Sequence, residues 1–384
     1  MADAPGWSRD EVAAYLALAQ VPGIGAARLH SLLAAFETAA AAVRAPHGAI
    51  AALPGFSRAA ATAVRASSPR AGREILEQLD RLGAGLLLPG NPAFPPLLRE
   101  IPDASALLYC WVDVALLGRP AVGVVGSRDH TPYGAEAARQ LAAGVASAGV
   151  VVVSGMARGI DAIAHTAALD AGGSSVGILA NGFGVIYPAA NRALYERMVA
   201  RGCLITELPP GERPHAGAFP RRNRLISGLA GVTVVVEAAP TSGALITADC
   251  ALDQGRAVLA VPGPITSPTS LGCNKLIQQG AKPVLGPGDI LEELGIESGA
   301  WDSRLGTREG NPEARIPSPE PRAPPSDLNE LQRRLWDTLL AEPKHVDVLV
   351  TAAAQDASAV LAALTELEMR GVVQQRPGMV FGLV

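Results

Sequence analysis

The sequence predicts an α/β protein built on a doubly wound, mainly parallel sheet, with a helical segment before it and a winged helix after it. Three observations carry this. Valine- and leucine-rich runs of strand length alternate with helical patterns through the middle of the chain, the mark of βαβ units. An alanine-rich stretch of helical periodicity precedes them,. After a proline-rich gap come three helical patterns and a two-strand hairpin, the make-up of a winged helix. The 384 residues are enough for two or three domains,.

Residues 1–75 read as helices. Glu11 to Ala19 carries apolar residues at helical spacing,. Val21-Pro22-Gly23-Ile24-Gly25 is a tight turn feeding the next helix, and Leu53-Pro54-Gly55-Phe56 repeats it before Ser57. Paired turns of this kind resemble helix-hairpin-helix modules, whose glycines let backbone amides approach a DNA phosphate. A small bundle with glycine turns has the same pattern. Seven basic residues against five acidic ones up to Glu74 leave a net +2. So small a charge contributes little phosphate affinity, which favours packing or partner docking.

Residues 76–295 form the predicted sheet domain. A helix ends near Leu82, and Gly85–Leu88 and Leu107–Cys110 are short strands bounded by prolines,. Val122–Val125 follows, with the turn Gly126-Ser127-Arg128 and a helix from Pro132 to Ala148. Val150–Val153 leads into Ser154-Gly155-Met156-Ala157-Arg158-Gly159 and a helix from Asp161. Val176–Leu179 precedes a glycine-bounded loop, 181–191, and a helix from Arg192. Leu204–Thr206, Val232–Val236 and Val258–Val261 complete the strands. Ligands of such sheets sit at the carboxyl ends of the strands, where these turns should converge. Residues 296–326, rich in proline and charge, are expected to be a flexible linker,.

Residues 327–384 should hold helices at 328–340, 345–353 and 357–370, then strands 372–375 and 380–383 about a Pro377-Gly378 turn. Five cationic side chains face eight acidic ones, a net −3, and the expected recognition helix carries Glu366 and Glu368. Duplex phosphates would repel it, so this segment reads as a protein-docking or regulatory module.

Composition narrows the function. With 49% hydrophobic and 18% charged residues, and no run of about 18 uncharged apolar ones, the chain reads as soluble, with no membrane span,. No basic stretch followed by an apolar core opens the sequence, so no secretory signal is expected,. Four widely spaced cysteines without a C-x-x-C pair indicate a reduced, cytoplasmic protein lacking a zinc site,. The net charge of −4 excludes coating of nucleic acid by bulk charge, so any such site is a local patch,. There is no G-x-x-x-x-G-K-[ST] loop and no dinucleotide fingerprint,. Ser154 lacks the G-x-S-x-G frame of a nucleophile and reads as a short donor or cap,. No cofactor and no catalytic machinery are expected.

The binding signals lie on the expected rim. Arg128 should point from a strand end towards an anion. Gly155 and Gly159 permit close backbone approach, and Asp161 is placed to cap the following helix. Tyr187 could stack on a base or merely cover the sheet end; Asn191 lies in the same loop. The sharpest signal is Phe219 beside Arg221, Arg222, Asn223 and Arg224, in a segment with no carboxylate after Glu212. Arginine forks suit phosphates and an aromatic suits bases. The strand at Val232, the turn Thr241-Ser242-Gly243-Ala244 and a helix starting near Leu245 add an anion site at a helix N-terminus,.

Taken in order, VGSR (125–128), SGMARGID (154–161), GFGVIYPAAN (182–191), TELPPGERP (206–214), FPRRNRLISGL (219–229), the block 241–263 and GCNKLIQQGAK (272–282) resemble the DprA/Smf family of DNA-processing proteins. The resemblance implies a Rossmann-like core and a SAM-like or helix-hairpin-helix N-terminal domain. It implies sequence-independent binding of single-stranded DNA, protection of incoming strands, and loading of RecA recombinase in natural transformation or repair. The implied protein is a homodimer, with single-strand binding protein as a further partner. By position, Arg128, Ser154, Gly155, Tyr187, Asn191, Phe219, Arg222, Asn223 and Arg224 match motifs facing DNA, with Gly243 and Thr247 near the phosphates. Asn274, Leu276, Ile277 and Gln278 match the region of self-association and RecA contact. Two departures stand out: Ala189-Ala190 occupy a position where the family often has lysine, leaving Arg192 as the nearest cation, and Pro283 stands where an apolar dimer residue is common. The rival reading is a nucleotide-processing enzyme resembling the lysine-decarboxylase-like phosphoribohydrolases. Their P-G-G-x-G-T-x-x-E turn carries a catalytic glutamate, which the turn at 241–247 lacks,.

Overall fold

The computed structural model describes residues 6–296, 328–340, 344–353, 355–370, 372–376 and 380–383. They form two compact units, one up to Ile296 and the other from Leu328. The expected linker, apart from Ile296, and the expected Pro377-Gly378 turn lie outside the described residues.

The first unit opens with α1 (Arg9–Ala19), α2 (Ala26–Phe36), α3 (Ala39–Arg44), α4 (His47–Ala51), α5 (Arg58–Ala66) and α6 (Pro69–Leu82). Hydroxyl side chains start four of them: Ser8, Thr38, Ser57 and Ser68 each accept from an amide of the first turn,. The two expected glycine turns are present, with Gly23 at φ +80° and Gly55 at φ +79°. Both conformations favour glycine. α1 packs on α6 so closely that a Cβ on Gly72 would lie 1.9 Å from the Ala13 carbonyl oxygen.

The nine-stranded sheet comprises β1 (Gly85–Leu87), β2 (Leu108–Val112), β3 (Ala121–Val125), β4 (Val151–Ser154), β5 (Ser175–Ile178), β6 (Cys203–Thr206), β7 (Val232–Val235), β8 (Ala257–Ala260) and β9 (Lys282–Pro283). Its order is β1-β2-β6-β5-β4-β3-β7-β8-β9. β3 to β9 run parallel, and β1 and β2 are antiparallel additions at one edge. Alternation divides the central strands between two cores: Val151 and Val153 feed one, Val150 and Val152 the other,. The connecting helices are α7 (Pro96–Arg99), α8 (Pro132–Ser147), α9 (Ile160–Asp170), α10 (Arg192–Arg201), α11 (Ala218–Leu229), α12 (Gly243–Asp253), α13 (Leu271–Gln278) and α14 (Pro287–Glu293). From β3 the chain winds outward through β4 and β5 to β6, then returns to lay β7 beside β3. The crevice between the C-terminal ends of β3 and β7 is therefore the topological switch point.

The expected boundary at residue 75/76 falls inside α6. The helical core also runs on into the sheet: Leu16, Leu29 and Leu76 share one cluster with Tyr109, Phe183, Tyr195 and Leu204. Helices and sheet are one compact unit, because the apolar face of the helices has its complement on the edge strands and α10. α11 escapes the sequence reading, since Arg221, Arg222 and Arg224 interrupt the apolar periodicity and Pro220 lies in its first turn.

In the second unit α15 (Glu330–Leu339), α16 (Val346–Ala353) and α17 (Ala357–Met369) surround Leu335, Leu349, Leu364, Leu367 and Phe381. β10 (Lys344–His345), β11 (Val373–Arg376) and β12 (Val380–Leu383) pair in the order β10-β12-β11. His345, expected to begin the second helix, instead belongs to β10. Among the described residues no single helix is long and apolar enough to cross a membrane.

Gly72→Ala should cost about 1–3 kcal/mol despite alanine's helix propensity, because the new methyl must push α6 off Ala13,. Denaturant unfolding of the purified variant checks this, and an unchanged midpoint would refute so close a contact.

Candidate nucleic-acid interface at the strand rim

The turns after β3 and β4 touch. Ile160 donates its amide to the Ser127 carbonyl oxygen at 3.1 Å, and a Cβ on Gly159 would lie 2.3 Å from that same oxygen. The turn after β4 is also held from within: one Asp161 oxygen accepts from the amides of Gly155 (3.1 Å) and Ala157 (3.4 Å). Asp161 thus organises the turn before its helix, whose N-cap is Gly159. Asn191 fastens the loop after β5 to this turn, donating through Nδ2 to the carbonyl oxygens of Met156 and Ala157.

Two loops and the first turn of α11 bring a cation and two aromatics together. The Arg128 guanidinium lies 5.6 Å from the Phe219 ring centroid. Tyr187, 46% exposed, meets the same ring at 5.8 Å and an interplanar angle of 53°. Phe219 belongs to the first turn of α11, and Arg222, one turn further on, points inward from the same helix. A cavity of about 100 Å³ opens between Tyr187, Phe219, Arg222, Arg128 and Asn181. A larger one, about 360 Å³, occupies the switch-point crevice between Gly126–Arg128 and Thr241–Thr247. Arg128, Ala157, Phe219 and Arg222 line both.

Arg222 is only 6% exposed. Its guanidinium lies over Gly155, where a Cβ would fall 1.3 Å from Nη1. Its charge faces Asp161, 3.9 Å away. Burial raises the Asp161 carboxyl above its ordinary pKa, and the Arg222 charge partly offsets this. Burial likewise lowers Arg222, Asp161 offsets the effect, and the charge of Arg128 adds to it. His165, one turn along α9, is pushed down to about 3 by burial and by Arg222. It is therefore neutral at pH 7, and its Nδ1 bonds to Ser175 Oγ.

The structure disperses several of the expected site residues. Arg224 faces away from the cavities' shared wall: its Nη2 donates to both Glu207 oxygens (2.6 and 2.7 Å) and its Nη1 to the Asp103 carbonyl oxygen. The segment that lacks carboxylates in sequence acquires them in space. Ser154 is fully buried and donates its hydroxyl to the Val124 carbonyl oxygen, so its side chain does not face the rim. At the start of α12 the Ser242 hydroxyl already accepts from the Ala244 amide, so the expected anion site is partly self-capped. Gly243 is exposed there, Thr247 is buried at the floor of the larger cavity, and Asn223 ties α11 to the Gly243 carbonyl oxygen. Arg221 is exposed beside a small recess with Glu207 and His215, and Arg192 is exposed at the start of α10. On α13 Asn274 bonds to both the amide and the carbonyl of Gly263, and Leu276 is buried in the core. Ile277 and Gln278 reach the surface. Sequence reasoning missed the buried Asn181 and the partners of Arg224, which lie 17 and 121 positions away and leave no local signal.

Fold and site together define a doubly wound α/β protein with a cationic and aromatic rim at its switch point, followed by a winged helix. Residues 85–295 match the family model of the DNA recombination-mediator protein A, and residues 319–379 match that of the DprA winged helix domain. The chain is 33% identical to Protein Smf of Synechocystis sp., over 97% of this chain and 98% of that protein. The crystal structure of DNA processing protein A from Streptococcus pneumoniae superposes with a TM-score of 0.65 at 32% identity, covering 75% of this chain and 98% of that one. DNA processing protein A of Helicobacter pylori, described by its single-stranded DNA binding mode, superposes with a TM-score of 0.50 at 28% identity, over 55% and 95%. The chain belongs to the DprA/Smf family of DNA-processing proteins.

Arg224→Ala should lower stability by about 3 kcal/mol, because it strands the part-buried Glu207 without a partner,. Guanidinium unfolding measures this, and a change below about 0.5 kcal/mol would return Arg224 to the ligand side of the rim.

Proposed function

We propose that the strand rim binds single-stranded DNA without reading its sequence, and that the protein protects the strand and loads RecA recombinase onto it. The observation that carries this reading is the cluster of Arg128, Phe219 and Tyr187 beside the buried Arg222. Stacked bases gain from an aromatic face whatever their identity, and arginines give phosphates a salt-dependent attraction. In a duplex the base faces are covered, so only unpaired bases can use Phe219 and Tyr187. Arg128, Arg192 and Arg221 are exposed cations along the rim that would follow the backbone, with Asn191, Asn223 and Gly243 shaping its floor. The Helicobacter pylori relative described by its single-stranded DNA binding mode supports the same choice of ligand. The role is one of binding and hand-over, without bond making or breaking. Its partners are RecA, single-strand binding protein on the incoming strand, and a second copy of this chain, with the surface about Ile277 and Gln278 as the contact region.

Anisotropy of labelled oligothymidine across a salt series tests the binding. The wild type should bind with an affinity that falls linearly in log salt, and unlabelled duplex should compete weakly. Phe219→Ala should weaken binding by roughly 5- to 150-fold, the range of one lost base–aromatic stack. No wild-type binding at low salt would overturn the proposal. For loading, RecA filament growth on oligothymidine coated with single-strand binding protein should be accelerated by the wild type and not by Arg128→Ala/Phe219→Ala. An unchanged rate with the wild type would remove the hand-over.

A further inference from the structure

We propose that Asp161 is a positioning residue which compensates the buried Arg222 charge while leaving the arginine's donors free for a phosphate of the strand. The inference rests on the single-strand reading of the rim and adds to it how the deepest cation is kept ready.

The geometry is unusual for a buried ion pair. Buried arginines and carboxylates normally meet in short, often bidentate hydrogen bonds, as Arg224 and Glu207 do here. Arg222 and Asp161 stand at 3.9 Å and share no hydrogen bond. The cause lies in the turn after β4, whose Gly155 and Ala157 amides already hold the Asp161 oxygen that faces the arginine. Arg222 Nε is buried without a partner. Among the described residues no protein acceptor bonds to its Nη atoms, and the residue lines both cavities. A charge can be buried when an opposite charge is close, while donors that stay unpaired favour an incoming acceptor. Asp161 supplies the first without removing the second. Gly155 completes the device, since any side chain there would fill the space the guanidinium occupies.

Compensation has a consequence for affinity. In the free protein the carboxylate stabilises Arg222, and in the complex it repels the phosphate. Asp161→Asn keeps an oxygen for the two amides and removes the charge. The variant should melt at a lower temperature than wild type when free. It should also bind oligothymidine about tenfold more tightly at low salt, the scale of one screened repulsion over several ångströms, with a log–log salt slope steeper by about 0.7. Adding Arg222→Met should restore much of the lost melting temperature and abolish the gain in affinity. Should Asp161→Asn not fold, Arg222→Met alone should weaken oligothymidine binding and flatten the slope by about 0.7. A lower melting temperature with unchanged affinity and slope would mean that Asp161 is only structural, and weaker binding by Asp161→Asn, or unchanged binding by Arg222→Met, would equally overturn the proposal. Thermal shifts with inorganic pyrophosphate separate the two readings. A larger shift in Asp161→Asn than in wild type, while the wild type ignores oligothymidine, would sink the single-strand reading and keep this one. An equal or smaller shift would sink this one.

Discussion

A guanidinium lying where a side chain would otherwise be is the contact on which the rim depends. Arg222 reaches the strand ends from α11 only because residue 155 has no Cβ. That path brings α11 down onto the turn after β4, which carries Phe219 to the mouth of the crevice. Phe219 in turn gives Arg128 and Tyr187 a common surface to lean on. Remove the vacancy at Gly155 and these elements lose their shared partner.

The sheet explains why these groups meet. Loops that follow parallel strands all emerge at one edge, and the return of the chain to β7 splits that edge at the switch point,. The first βα turn supplies Arg128, the second Gly155 and Asp161, the third Tyr187 and Asn191. α11, which precedes β7, closes the gap from above. Each contribution is a short turn on a rigid strand, so the site is positioned by the core. The polar groups follow a division of labour: Arg224 with Glu207 and Asp103 fixes α11 in place, while Arg222 lines both cavities without a hydrogen-bonded acceptor among the described residues.

Much of this was legible in the sequence, for identifiable reasons. Buried parallel strands read as uninterrupted valine runs, and glycine turns directly after them announce a rim, so the sheet and the meeting of Arg128, Gly155, Tyr187 and Phe219 at its edge could be read without coordinates. The winged helix was equally readable from three helical periods and a hairpin. What escaped is non-local. Nothing near Arg224 signals that Glu207 and Asp103 will surround it, and nothing near Ser154 shows that its hydroxyl turns inward to Val124. α11 hid because Arg222 and Arg224, charged in sequence, turn inward in space and break the apolar periodicity that would mark its buried face. The helical segment looked separable because its own periodicity is strong. The complement of its apolar face, Tyr109, Phe183 and Tyr195, lies between 90 and 180 residues downstream of α1.

The mutual contacts of Arg128, Phe219 and Tyr187 also bear on how readily a strand bound as proposed would leave. In the free rim the Phe219 ring already meets Arg128 and Tyr187, so an arriving base would exchange part of these contacts for its own stack. On release of a strand the Phe219 ring would return to Arg128 and Tyr187. For the carrier proposed above, a site that re-closes on itself is more useful than a lock.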